Sequence, residues 1–275
     1  MLDVYPSNCK LSHYAIFTDS FNKGKFRLVY STFSTTLLLI KETVYTQLMN
    51  NKFNSIDSEL FEQLTQAKII VRNDKNELLE VISENKKAIA ENTSLFQVIA
   101  PSANCQLGCG YCGQVHSKDQ MDQEINQKVL SRIKTNLNKK EYKNLHIGWF
   151  GGEPLMGVKN IRSMSDALIQ IAKKKNCSYS GKMVTNGLSL KKAIFYEMVE
   201  EYKVNNFEIT LDGTKDYHDN RRYTKLFKKT FDLIVKNLKE ITADERFDKN
   251  KYKINIRCNV DRTNYESVHD LIDYL

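Results

Sequence analysis

Three cysteines lie close together in the sequence, at Cys105, Cys109 and Cys112, with the spacing C-x3-C-x2-C. Three thiolates on one short loop can hold three irons of a cubane 4Fe–4S cluster. The fourth iron then has no protein ligand and is free to bind a substrate or a cofactor. Gly108 and Gly110 let the backbone wrap closely around such a centre. The spacing therefore predicts a site for an iron–sulfur cluster.

Zinc is an alternative occupant of such a loop, and inert buried thiols are a further alternative. Structural zinc prefers four ligands arranged as paired C-x2-C units. His116 could serve as a fourth ligand, but the remaining cysteines, Cys9, Cys177 and Cys258, fall in no matching pair. Six cysteines in 275 residues are also too few for a scaffold held by disulfides. The pattern therefore favours the cluster.

The elements that must position this loop alternate between strand-like and helix-like segments from Leu95 onward. Between the strands, apolar residues recur three and four positions apart, as in amphipathic helices, and the fourth such helix is expected to include Phe227 and Phe231. The alternation predicts an α/β fold, a parallel sheet wound by right-handed crossovers. Such sheets bind ligands beyond the carboxyl ends of their strands, and the cysteine loop follows the first strand. The five strand-like runs are 95–100, 145–150, 182–185, 207–211 and 253–260.

Polar and apolar residues alternate along the fourth and fifth strands, which predicts one polar face on each strand. Glu208, Thr210 and Asp212 share a face of the fourth strand, and Arg257 and Asn259 share a face of the fifth. A closed barrel is filled with Val, Ile and Leu, so a polar lumen indicates a partial, splayed barrel that is open to polar ligands. Asp212 either contacts a ligand or only forms the turn that follows.

Several short motifs follow the successive strands in a fixed order. Together they resemble the radical S-adenosylmethionine superfamily, in the subgroup that matures peptides and proteins. That subgroup includes the anaerobic sulfatase maturases and the peptide maturases with a SPASM domain. The resemblance covers residues 95 to 275. Its motifs are the cysteine loop, Trp149-Phe150-Gly151-Gly152-Glu153-Pro154, Thr185-Asn186-Gly187, Thr210-Leu211-Asp212-Gly213, His218-Asp219 and Arg222.

The resemblance implies that S-adenosylmethionine is cleaved reductively at a 4Fe–4S cluster. The electron for this cleavage would come from a separate electron donor. The resulting 5′-deoxyadenosyl radical would abstract hydrogen from a peptide or protein substrate during post-translational maturation, so the chain is expected to be an oxidoreductase. The cofactor's methionine part would contact the glycine pair and an arginine, and its adenine would lie near a tyrosine. The resemblance assigns cofactor contacts to Tyr111, Gly151, Gly152, Glu153, Thr210 and Arg222.

Each of these assignments has a simpler reading. The glycine pair could form an ordinary turn, with Glu153 capping the helix turn that Pro154 begins. Tyr111 could serve local packing alone. Arg221 competes with Arg222 for the arginine role, because the family's glycines are missing before Thr230-Phe231, where a lysine-rich stretch stands instead.

Residues 1–92 carry a different pattern from the rest of the chain. Two short strands, 15–17 and 26–30, flank a turn at Asn22-Lys23-Gly24-Lys25, and a third strand is expected at 35–40. Helices are expected at 41–49, at 58–67 with Asp57 or Ser58 as the cap, and at 77–91, with a further strand at 68–72. A small sheet with such helices suggests a winged-helix-like domain. It resembles the leader-peptide recognition domains of some peptide maturases; the alternative is a scaffold domain.

Composition excludes several classes of protein. Lys and Arg exceed Asp and Glu by 41 to 33, but the resulting charge of +8 is scattered, and no nucleic-acid-binding motif is present. No apolar run is long enough to cross a membrane, and the N-terminus lacks the pattern of a secretory signal. The sequence therefore predicts a cytoplasmic protein that binds neither nucleic acid nor membrane.

The pattern of βα units stops before a sixth strand is reached. We therefore expect residues 93–275 to form a radical S-adenosylmethionine core that stops before the sixth strand and the cysteine-rich C-terminal domain of the peptide maturases, either because the gene product is shortened or because this chain is part of a longer protein. Two alternatives to a catalytic peptide maturase follow from the sequence. One is a non-catalytic fragment that binds a cluster, a peptide or both. The other is a sulfatase-maturing enzyme.

Overall fold

The computed structural model describes residues 4–275. The chain divides between Asn92 and Thr93 into two compact units. No helix in this described range combines the length and the apolar character needed to cross a bilayer.

The N-terminal unit is built from two small antiparallel sheets and three helices. One sheet has the strand order β2-β3-β4, and the other pairs β1 with β5. The expected hairpin strands and helices are present, and the Asp57 carboxylate caps α2 by accepting hydrogen bonds from the backbone N–H groups of Glu59 and Leu60. The elements are β1 (Cys9–Leu11), β2 (Ala15–Phe17), β3 (Phe26–Ser31), β4 (Thr36–Lys41), α1 (Glu42–Met49), α2 (Ser58–Gln66), β5 (Ile70–Arg72) and α3 (Glu77–Glu91).

The C-terminal unit is a five-stranded parallel sheet with helices between its strands. The strand order is β10-β9-β8-β7-β6, so each strand pairs with the next one in the sequence. The strands are β6 (Ser94–Ile99), β7 (Asn144–Trp149), β8 (Ser178–Thr185), β9 (Val204–Thr210) and β10 (Lys253–Arg257). The helices are α4 (Gln123–Leu137), α5 (Val158–Lys174), α6 (Lys192–Glu200), α7 (Lys215–Arg221), α8 (Phe231–Thr242) and α9 (Val268–Tyr274).

The strand order explains why one face of the sheet is open. When every crossover is right-handed and every strand joins its neighbour, the helices all lie on the same face. Phe207, Ile209 and Leu211 alternate along β9 toward that face and are completely buried with the helices. Phe96 and Val98 of β6 point to the opposite face and are about half exposed. The second face is therefore the one available to ligands.

The fourth helix of this unit differs from the one expected at Phe227. Phe227 lies in a loop, in the left-handed region with φ of 55°, and its ring stacks on Tyr223. Helix α8 begins at Phe231, because the Asp219 carboxylate accepts hydrogen bonds from the backbone N–H groups of Thr230 and Phe231. The short helix α7, which supplies Asp219, was not expected, because its seven residues carry no apolar stripe.

Candidate active site

The cysteine loop follows β6 and is held in place by the segment after α7. The backbone N–H of Gly108 donates to the carbonyl of Tyr223, at 2.8 Å, and that of Gly110 donates to the carbonyl of Arg221, at 3.1 Å. These bonds fix the turn that carries the three thiols. Cys105 is buried, Cys109 is half-buried and Cys112 is exposed.

Gly151 and Gly152 form the turn after β7, directly against the cysteine loop. The backbone N–H of Glu153 donates to the carbonyl of Asn104, at 2.8 Å. A Cβ on Gly152 would lie 2.6 Å from that same carbonyl oxygen, and one on Gly151 would lie 2.8 Å from the carbonyl oxygen of Ser102. Gly151 also has φ of 119°, which side-chain-bearing residues rarely adopt. The structure thus explains both glycines by the close packing of the two loops. The sequence did not suggest this reason.

Glu153 is buried behind this turn and does not line the cavity in front of it. One carboxylate oxygen accepts hydrogen bonds from the Leu155 N–H, at 3.1 Å, and the Thr185 hydroxyl, at 2.7 Å. The other accepts from the Asn186 N–H, at 2.8 Å. Burial raises the pKa of Glu153, and these three donors oppose the rise. Its carboxylate therefore joins the ends of β7 and β8 and caps the turn at Pro154.

Tyr111, which is 42% exposed, belongs to a hydrogen-bonded network centred on the buried Asp212. The Tyr111 hydroxyl donates to the Asp212 carboxylate, at 2.5 Å, and accepts from the Arg222 guanidinium, at 2.6 Å. The backbone and side-chain N–H groups of Asn259 donate to the same carboxylate, at 2.8 and 3.2 Å. Burial, opposed by Arg222, raises the pKa of Tyr111 to about 12. Asp212 therefore does more than form a turn, because it joins the cysteine loop to the ends of β9 and β10.

The two candidate arginines have different surroundings. Arg221 is turned toward the loop after β10, where it binds the Asp261 carboxylate at 2.7 Å. Among residues 4–275, the Nε of each arginine is a buried donor without an acceptor, but Arg222, which is 8% exposed, lines the cavity and Arg221 does not. An unsatisfied buried donor is costly, so the Arg222 guanidinium suits an anionic ligand. Burial lowers the pKa of Arg222, but Cys109, Tyr111 and Asp212 raise it more, so it stays charged.

These residues surround one cavity of about 280 Å³ at the carboxyl ends of the strands. Every site residue expected from the sequence lines it, except Glu153. A larger cavity of about 490 Å³ lies at the outer edge of β10, but its lining is mostly apolar and contains no cysteine. The smaller cavity is therefore the candidate active site. It is lined by Cys105, Leu107, Cys109, Tyr111, Cys112, Gln114, His116, Phe150, Gly151, Gly152, Val184, Thr185, Asn186, Thr210, Arg222, Arg257 and Asn259.

The donor set of this cavity fits a cluster. Among residues 4–275, no three His, Cys, Asp or Glu side chains converge on a single point. A cubane cluster needs a different arrangement from a site for one metal ion, because each thiolate binds its own iron. Burial raises the pKa of the Cys105 and Cys109 thiols, and the positive charge of Arg222 opposes the rise in both. His116, the candidate fourth ligand for zinc, lies 3.8 Å from the Cys112 sulfur.

Three residues around the site were quoted in motifs or strands but given no role by the sequence. Asn186 donates from its side chain to the Cys105 sulfur, at 3.8 Å. Asn259 donates to both Tyr111 and Asp212. His218 is completely buried, with one ring nitrogen near the Asp212 N–H, at 3.2 Å, and the other near the Thr230 hydroxyl, at 3.1 Å. The position of Asn259 on the polar face of the fifth strand was the signal that could have identified it.

A family model and a curated relative match this chain. The family model described as "Radical SAM superfamily" matches residues 99–274. A cysteine-type anaerobic sulfatase-maturating enzyme of Clostridium novyi (strain NT) is 30% identical over 176 residues, which cover 58% of this chain and 42% of that protein. The chain thus spans less than half the length of this curated relative.

Solved structures of native anSMEcpe are also similar to this chain. One, with bound AdoMet and a peptide, is 23% identical with a TM-score of 0.47. Another, with bound AdoMet, is 24% identical with a TM-score of 0.46. Each match covers 60% of this chain and 43% of the other. On the evidence of the family match, which spans most of its length, this chain belongs to the radical SAM superfamily.

Proposed function

We propose that this chain is the catalytic core of a radical S-adenosylmethionine enzyme that acts on a peptide or protein. The observation that carries the proposal is the cavity of about 280 Å³ at the carboxyl ends of the strands. It brings the three thiols together with the Gly151-Gly152 turn and the Arg222 guanidinium. Cys105, Cys109 and Cys112 would hold a 4Fe–4S cluster, leaving one iron for the cofactor.

A 4Fe–4S cluster held by Cys105, Cys109 and Cys112 would, when bound, supply the electron for reductive cleavage of S-adenosylmethionine, the chemistry that would make hydrogen abstraction from a substrate possible. The chain's own residues bind and orient the cofactor. Arg222 offers its free Nε to the carboxylate of the cofactor. The carbonyls of Gly151 and Gly152 accept no hydrogen bond within residues 4–275, so they can accept from the cofactor's ammonium group. Thr210 and Tyr111 line the remaining wall.

The N-terminal unit is proposed to be winged-helix-like and to recognise a leader peptide. Its sheet of β2, β3 and β4 is followed by three helices, and β2 and β4 are edge strands. An extended peptide can pair with such an edge through backbone hydrogen bonds. Leu37 and Leu39 of β4 are exposed, at 58% each, and would contact alternate side chains of an added strand. The alternative is a scaffold domain that binds no peptide.

A sulfatase-maturing function is the second candidate. The observation that favours it is the 30% identity to the sulfatase-maturating enzyme of Clostridium novyi. A third reading, a non-catalytic chain that binds a cluster or a peptide, differs from both in one measurable respect. It predicts iron binding without cleavage of S-adenosylmethionine.

Iron content and cofactor cleavage test the proposal directly. After anaerobic reconstitution we expect about four irons per chain, and with a strong reductant we expect 5′-deoxyadenosine and methionine. Replacement of all three loop cysteines by alanine should remove both. The matched control is Cys177→Ala, because Cys177 lies outside the cavity and is half-buried. Stoichiometric zinc without visible charge-transfer absorption would refute the proposed cluster.

A further inference from the structure

The open face of the sheet carries more positive than negative charge. Lys182 of β8 and Arg257 of β10 lie on either side of Glu208 of β9, and both bind its carboxylate, at 2.7 and 3.0 Å. Lys253 shares this face with Arg257, because the two are four residues apart on β10 and alternate residues of a strand point the same way. Three cations therefore face a single carboxylate on these strands.

Glu208 cannot neutralise this group of charges. Its hydrogen bond to Lys182, opposed by burial and assisted by Arg257, lowers the pKa of the Glu208 carboxyl, so it carries its full negative charge at neutral pH. That charge is shared between two cations. Another carboxylate at this end of the sheet, Asp212, is completely buried and accepts hydrogen bonds from Tyr111 and Asn259. An excess of positive charge remains on the open face.

The other half of the face supplies no compensating anion. β6 and β7 present Phe96, Val98 and His146 there, with the Phe96 and His146 rings stacked 5.2 Å apart. Burial, assisted by the nearby Lys182, lowers the pKa of His146, so it is neutral at neutral pH. The face thus has an apolar half and a cationic half.

Arg257 places the cationic half at the wall of the active-site cavity. It lines the cavity together with Thr210 and Asn259, and its side chain is 51% exposed. One terminal nitrogen binds Glu208 and the Nε binds the Asn259 side chain, at 3.2 Å. Within residues 4–275, the second terminal nitrogen of Arg257 has no acceptor. Donors therefore remain for a ligand that enters the cavity.

We propose that Arg257, at the cavity end of this cationic group of Lys182, Lys253 and Arg257, binds a carboxylate of the substrate and selects an acidic peptide. The inference rests on the proposed function, since it assumes a peptide in the cavity. Arg257 would donate its free N–H groups to the carboxylate, and the lysines would add long-range attraction. Arg222, which is buried, serves the cofactor, whereas Arg257, which is half exposed, serves the substrate. The carboxylate belongs to an Asp or Glu side chain or to the C-terminus of the peptide.

Peptide binding to the reconstituted protein tests this without requiring turnover. The probes are fluorescently labelled hexapeptides of Gly and Val with one central Glu, Gln or Lys, each with a free or an amidated C-terminus. We expect the amidated Glu peptide to bind at least tenfold more tightly than its Gln counterpart, and the Lys peptide to bind most weakly. Tighter binding of the free-C-terminus form than of the amidated form, whatever the central residue, assigns the site to a terminal carboxylate. Raised salt should reduce the preference.

Variants assign the effect to this face. Arg257→Gln should remove the preference for Glu, and Arg257→Lys should restore part of it. The matched control is Arg246→Gln, because Arg246 pairs with Asp244 outside the cavity. The affinity for S-adenosylmethionine, measured in parallel, should be unchanged in the Arg246→Gln control, and the peptide affinities of all variants are compared with S-adenosylmethionine at saturation. Equal affinity for Glu and Gln peptides together with no gain from a free C-terminus, or no binding of any peptide, overturns the inference. Loss of cofactor cleavage with an intact Glu preference would instead count against the proposed function.

Discussion

Glu153 offers a test that separates a structural role from a cofactor contact. The Glu153→Gln change keeps the size of the side chain but replaces one acceptor oxygen with an NH2 donor. In the structure, one oxygen accepts two hydrogen bonds and the other accepts one, from the Asn186 N–H. The glutamine oxygen takes the place of the carboxylate oxygen that accepts two hydrogen bonds. Its NH2 group then faces the Asn186 N–H, so that two donors point at each other.

The magnitude follows from the groups left unpaired. An unsatisfied buried donor costs about 1–3 kcal/mol, and here the Asn186 N–H and an amide hydrogen both lose an acceptor. A neutral side chain also avoids the cost of burying a charge, which offsets part of this loss. We therefore expect Glu153→Gln to lower the free energy of unfolding by about 1–3 kcal/mol. The affinity of the folded protein for S-adenosylmethionine should change little, because Glu153 does not line the cavity.

The pH dependence provides a second readout. Burial raises the pKa of Glu153 above its ordinary value of 4.5, so between 4.5 and the raised pKa the folded protein binds more protons than the unfolded one. Stability then falls as pH rises through this window, by the linkage between proton binding and folding. The Glu153→Gln protein lacks this contribution and should show a flatter profile there.

Urea unfolding followed by fluorescence is a suitable assay. Trp149 is the single tryptophan of the chain, is completely buried and ends the strand before Glu153. The matched control is Glu141→Gln, because Glu141 is exposed. Unchanged stability together with a tenfold or greater loss of affinity for S-adenosylmethionine would refute the structural role and make Glu153 a cofactor contact.

Three further predictions concern the loops and the N-terminal unit. Gly152→Ala should sharply lower iron incorporation, because the added Cβ would collide with the Asn104 carbonyl. Gly113→Ala should not lower it, because nothing lies within 4 Å of a Cβ at that position. Equal iron content in the two variants would contradict the loop-packing argument. Asp57→Ala removes the α2 cap and should cost about 1 kcal/mol in urea unfolding, and no loss would show that the cap is not stabilising. Burial lowers the pKa of His218 to about 4, so the unfolded chain takes up the proton first as the pH drops. The free energy of unfolding should therefore fall, by up to about 3 kcal/mol, between pH 6.5 and pH 4. A His218 ring signal that titrates near 6.5 by NMR would contradict this.

The sequence by itself determined the parallel sheet and the approximate place of its site. Alternation along 207–211 predicted the buried face of β9, because strand side chains alternate whatever surrounds them. The spacing of the three cysteines indicated the chemistry, and the order of strands and helices placed their loop at the carboxyl ends of the strands. These are local properties, since they depend on residues close together in the chain.

Only the tertiary structure decided which residues meet. The pairing of β1 with β5 joins segments about 60 residues apart, and β1 carries no signal strong enough to predict a strand. The start of α8 depends on a carboxylate from α7, and the glycines of the β7 turn are required by the backbone of another loop. The choice of Arg222 as the cavity residue depends on the pairing of Arg221 with Asp261. Such contacts arise when distant segments pack together, so no local period in the sequence records them.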